Sequence, residues 1–181
     1  MLLTLDCLVQ ELLRRNHSIA ALTHVINELA EADGHLHDAI QLEDLQLAAY
    51  EALGWLVGSE PARGSHAVAS EVIQSEAPGA VSALEKAIGR FPDNKRSKVI
   101  GLAALSWCRH KAAAADGQAG SAESEARSDT VKAVLDSLAE SSNGDLQTLA
   151  TLGFGWVSFS HPPSGVALLE NKGVELMVAG M

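Results

Sequence analysis

His24, His35 and His37 lie close together in the chain, with Asp33 and Asp38 between and beside them. Imidazole nitrogens and carboxylate oxygens at such spacing are the donor set of a divalent metal site. The segment reads as a loop between helices, however, and no further ligand is spaced to complete the set. Solvated loop residues are the preferred reading, and no metal is assigned. A second group, Lys95, Arg96 and Lys98, places positive charge at the start of a helical pattern. The helix dipole disfavours cations there, so this group is a candidate contact for an acidic partner. Short basic spots at solvated helix ends are the alternative.

Nucleophile chemistry finds little support. The glycine-rich phosphate loop, the GxSxG elbow and the HExxH zinc helix are all missing from the sequence. Serines and histidines are numerous, yet nothing orders them as a triad. The two cysteines, Cys7 and Cys108, form no metal spacing and no disulfide framework. Cys108 falls on an apolar stripe beside Leu105, which is the place of an inert core thiol. No catalytic residue and no cofactor are therefore expected. The main rival is an enzyme or metal-dependent regulator centred on the region from His24 to Asp38.

The remaining candidates are aromatic. The three tryptophans, Trp55, Trp107 and Trp156, sit in ALGWLV, ALSWCR and GFGWVS. Aligned backwards, DLQLAAYEALGWLV from Asp44, RSKVIGLAALSWCR from Arg96 and DLQTLATLGFGWVS from Asp145 agree in size and polarity as well as in Trp. Leu47, Val99 and Thr148 correspond, as do Ala52, Ala104 and Gly153. At about 100° per residue, Ala49, Ala52, Leu53 and Leu56 cluster with Leu45 as a buried stripe. Trp55 falls at the edge of that stripe, beside Ala48 and near Glu51. Trp107 and Trp156 take the same edge. An edge Trp has one face for the core and one for a partner. Two roles stay open: seals between neighbouring units, or an aromatic ladder along a groove.

Each Trp segment follows another apolar helix pattern: ALTHVINELAEA from Ala21, AVSALEKAIGRF from Ala80 and TVKAVLDSLAES from Thr130. The breaks between partners are polar: DGHLHD, PDNK and SNGD. HAVASEVIQSE from His66 predicts a separate short helix, and PPSGVALLENKG from Pro162 opens with the proline of a helix N-terminus. The stretch 111–129 is poor in large apolar residues and is expected to be a flexible surface loop, with room for a frayed helix within it. The repeating unit is thus a short helix, a turn, a helix, a polar break and a helix. Its approximate bounds are 1–58, 59–110 and 111–160, with a partial unit at 161–181.

Composition agrees. The chain has 181 residues, 47% hydrophobic but only 4% aromatic, which favours helices over strands. The net charge of -10 repels phosphate backbones, so nucleic acid is not expected as a partner. No apolar run approaches the roughly 20 residues needed to span a bilayer. The opening MLLTLDCLVQELLRR carries Asp6 and Glu11 early, unlike a secretory or transit leader. A cytoplasmic setting is the default, with an organelle left open.

Units of this kind bury their apolar faces only against neighbours. AVSALEKAIGRFPDNKRSKVIGLAALSW, from Ala80 to Trp107, and the final GWVSFSHPPSGVALLENKGVELMVAGM resemble the armadillo-repeat family. The resemblance covers residue 20 onward. It implies an all-α, right-handed solenoid of about three units, with the third helices lining a concave groove. Peptide-binding members carry Asn where this chain has Trp55, Trp107 and Trp156, and Trp where it has Glu51, Ala103 and Leu152. Recognition of basic import peptides is therefore not expected, although Glu51 leaves some attraction for basic partners. The expectation is a non-catalytic protein–protein interaction scaffold, a structural subunit whose ends are covered by other protein subunits. The alternative is a peptide-binding adaptor that uses a Trp-lined groove. The candidate partner-binding residues are Trp55, Trp107, Trp156, Glu51, Lys95, Arg96 and Lys98.

Overall fold

A computed structural model describes residues 17–31, 39–58, 66–90, 94–116, 123–140, 144–160 and 162–179. Among these the chain is all-α. Its helices are α1 (Ser18–Glu31), α2 (Ala39–Gly58), α3 (His66–Arg90), α4 (Lys95–Asp116), α5 (Glu123–Ala139), α6 (Gly144–Ser160), α7 (Pro162–Glu170) and α8 (Gly173–Ala179). The three polar breaks fall between α1 and α2, α3 and α4, and α5 and α6. Pro162 opens α7, where its missing N–H costs nothing.

Two expectations change. HAVASEVIQSE is not a separate helix: α3 runs unbroken through Pro78. Pro78 lies on the exposed side of α3, where water can take the carbonyl freed one turn back, while Ala77 and Ala80 on either side are fully buried. Packing of the flanks holds the helix together. The stretch 111–129 is also largely helical, since α4 continues to Asp116 and α5 begins at Glu123. Its many alanines, though too small to build a core, are the best helix formers.

The three Trp-bearing helices pack in order. α4 lies between α2 and α6, and α3 packs on both α1 and α4. The outer helices stack less regularly, because α3 and α5 do not meet; α5 rests on α4, α6, α7 and α8 instead. α4 is the centre of the core. Val99, Ile100, Ala103, Ala104 and Cys108 are fully buried there. Its small residues let neighbours approach: a Cβ placed on Gly101 would lie 2.9 Å from Ile88 of α3 and 3.1 Å from the Tyr50 ring of α2.

Polar groups tie the helices in register. Asn94 caps α4, its Oδ1 accepting from the Ser97 amide at 3.0 Å. Lys86 reaches Glu31 at 2.6 Å and Arg109 reaches Glu85 at 2.7 Å, joining α3 to α1 and α4 to α3. The Lys86 ammonium holds the Glu31 carboxyl below its usual range, first by its hydrogen bond and then by its charge. Such surface pairs set register more than they stabilise. The cap contributes more. Asn94→Ala is expected to lower stability by ~1 kcal/mol, and Asn94→Gly by only a few tenths. Urea midpoints of the two variants check this; equal losses would assign the effect to something other than the cap.

Candidate partner-binding surface

The three tryptophans do not share one environment. Trp55 is 47% exposed, whereas Trp107 and Trp156 are only 8% and 6% exposed. The reason lies in what each helix packs against. Trp156 leaves α6, passes α4 and reaches α2, where its ring stands edge-on to Trp55 with centroids 5.6 Å apart. Gly54 makes room for it: a Cβ there would lie 2.2 Å from Cζ3 of the indole. Trp107 meets His110 edge-on at 6.1 Å, and the Lys111 ammonium sits 5.7 Å over its ring. Trp107 and Trp156 therefore pack inside the described structure rather than forming an open ladder. Trp55 alone keeps a large exposed face.

The buried stripe of α2 also differs from the helical-wheel expectation. Leu45, taken as its centre, is exposed, and Ala48 is exposed with it. Ala49, Leu53 and Leu56 are buried as expected, and Gln46, Leu47, Tyr50 and Val57 are buried with them. Gln46 is polar yet fully buried, and its Nε2 donates to the Tyr50 hydroxyl and, at 3.4 Å, to the Ala87 carbonyl of α3. Burial pushes the Tyr50 hydroxyl well above the usual phenol range.

The basic group is answered mostly from within. Lys95 pairs with Glu140, and Arg96 lies 3.4 Å from Asp44 of α2. The unfavourable charge at the start of α4 is thus matched by the chain's own carboxylates. Lys98 makes no such pair among the described residues. It lines a cleft of about 390 Å³ with Lys95, Lys132, Asp129 and Asp136. Lys132, supplied by α5, could not be foreseen from sequence. The mixed signs leave this cleft without strong preference for an anion. Glu51 is partly buried on α2. His24 is exposed on α1, 4.0 Å from Glu28. Asp33, His35, His37 and Asp38 lie outside the described residues. Among the described residues no group of three or more His, Cys, Asp or Glu side chains is placed to hold a metal.

Comparison with family models, curated proteins and solved structures finds no match to this chain.

The most prominent surface feature lies elsewhere. Among the described residues, five of the eight exposed large apolar side chains fall at one end of the fold: Phe159, Val166, Leu169, Val174 and Val178. Phe159, at the end of α6, is 79% exposed. Val166 and Leu169 share one face of α7, and Val174 and Val178 share one face of α8. Sequence reading missed them because α7 buries Leu168 as well, so its apolar residues run round the helix and mark no single side. Beside them, α5, α6 and α8 enclose a cleft of about 410 Å³ lined by Leu138, Leu176 and Met177, with Gln147, Thr148 and Thr151. No helix among the described residues is long and apolar enough to cross a membrane.

Proposed function

We propose that the chain is a non-catalytic protein–protein interaction scaffold, a structural subunit of a larger complex, built as an armadillo-like right-handed solenoid of about three units. The apolar end formed by Phe159, Val166, Leu169, Val174 and Val178 carries this reading. Exposed apolar side chains concentrated in one region mark interaction surfaces in soluble proteins. The ordered packing of α2, α4 and α6 supports a stacked-repeat architecture, in which an end face is a natural place for a partner. The burial of Trp107 and Trp156 favours this scaffold over an adaptor with a Trp-lined peptide groove.

The test is affinity purification from the native source under mild conditions, with quantitative mass spectrometry. The expected result is a fixed set of proteins at equal stoichiometry with the chain. Leu169→Glu combined with Val178→Lys should release that set without changing the circular dichroism spectrum, since both side chains are exposed. A chain that purifies alone, or with a shifting substoichiometric set, overturns the subunit reading.

A further inference from the structure

The three Trp-bearing helices are related by fixed offsets, so each contact made by one can be sought on the next. α2 receives α4 through Asp44, which pairs with Arg96, and through Tyr50, which meets Gly101. α4 receives α6 through Val99 and Ala103, each 3.6 Å from a Cβ placed on Gly153, and through Ser106, whose hydroxyl lies 2.8 Å from that of Ser160. The equivalent stripe on α6 is Asp145, Thr148, Leu152, Gly155 and Phe159. Its spacing of three and four residues keeps it on one face. Leu152 is half-buried and Thr148 borders the cleft with Leu176 and Met177 of α8, but the rest of the stripe is open. Asp145, Thr148 and Phe159 are exposed, and a Cβ on Gly155 would meet nothing within 4 Å.

Charge selects the occupant. Asp44 is matched by Arg96 in the first turn of the helix that α2 receives. Asp145 holds the same place on α6 and makes no ion pair among the described residues. A second copy of the chain would have to offer α2, since the corresponding faces of α4 and α6 are buried around Ile100, Ala104 and Trp156. Its Asp44 would then stand against Asp145, and like charges in an interface are strongly disfavoured.

We infer that this flank of α6 docks an amphipathic helix of a partner protein whose first turn carries an arginine or lysine opposite Asp145. The inference rests on the scaffold reading and names the chemistry of one of its partners.

The test uses the full chain and, as probe, a fluorescein-labelled peptide of residues 94–112 with Cys108→Ala. This is most of the α4 sequence, the helix that α2 receives, with Arg96 in the required position. Fluorescence anisotropy should show saturable binding. Gly155→Leu on the chain should weaken it by ~10-fold or more without lowering the thermal midpoint, because the site is open and leucine is the better helix former. Asp145→Arg should weaken it to a similar degree, and a peptide carrying Arg96→Asp should restore binding to that variant. Non-saturable binding, or indifference to Gly155→Leu, overturns the inference. So does self-association in sedimentation equilibrium that Gly155→Leu abolishes, which would assign the flank to a second copy. A chain that keeps its stoichiometric partners despite Gly155→Leu sinks only this docking site. Loss of stoichiometric partners from the unaltered chain sinks the scaffold reading itself.

Discussion

Trp156→Ala is expected to cost ~3–5 kcal/mol of stability, the usual range for truncating a large buried aromatic. The side chain closes the gap between α2 and α6, standing against Gly54 and edge-on to Trp55. Its removal leaves a cavity and breaks the link between helices that are not neighbours in the stack. The same contact makes a sharper prediction at Gly54. In an open helix, Gly→Ala gains up to ~1 kcal/mol from backbone entropy. Here the new methyl would stand 2.2 and 2.4 Å from ring carbons of Trp156, so Gly54→Ala should lose ~1–3 kcal/mol instead. With Trp156→Ala already present, the obstacle is gone, and Gly54→Ala should become stabilising. A double-mutant cycle in urea reads this reversal of sign. Additive effects would show that the indole does not occupy the space above Gly54.

Alkaline pH should destabilise the chain in two stages. Cys108 is fully buried, and burial pushes its thiol up to about 12 from an ordinary 9.0. Tyr50 is also raised by burial, the hydrogen bond from Gln46 opposing this only in part. Both groups stay neutral in the folded chain while the unfolded chain releases their protons. The unfolded state therefore binds fewer protons, and stability falls as pH rises. The loss is absent below pH 9.0, where the unfolded thiol is still protonated. It then grows by about 1.4 kcal/mol per pH unit. Above the ordinary phenol value of 10.0, Tyr50 adds a second contribution and the slope about doubles. Thiol ionisation would thus remove roughly 4 kcal/mol by pH 12. Urea midpoints across this range check the prediction. Cys108→Ala should abolish the loss between 9 and 10, and Tyr50→Phe should remove the later steepening. A profile that neither variant changes would place the alkaline transition on the lysines.

Much of the fold was legible in the residues themselves. The polar breaks around Gly34, Pro92 and Gly144 fall between helices, because such residues end helices through local backbone chemistry alone. The apolar pattern around Cys108 placed that thiol in the core for the same reason: periodicity along one helix fixes which residues share a face. The boundary expected after HAVASEVIQSE is absent, because the helix-breaking tendency of Pro78 is outweighed by the packing of α3 around it. The tryptophans show the wider limit. Trp55, Trp107 and Trp156 occupy one position in three similar helices, so sequence gave them one edge and one role. Burial is set by neighbours, and the neighbours differ. α6 folds back to α2 and hides Trp156 over Gly54, while Trp55 on the first of the three keeps an exposed face. The open flank of α6 follows the same logic. Asp145, Gly155 and Phe159 look ordinary in sequence. Only the tertiary packing reveals that Asp44 and Gly54 on α2 and Ser106 on α4 each meet another helix while Asp145 and Gly155 do not, because the pattern within a helix determines its faces while the arrangement of the others decides which face is covered.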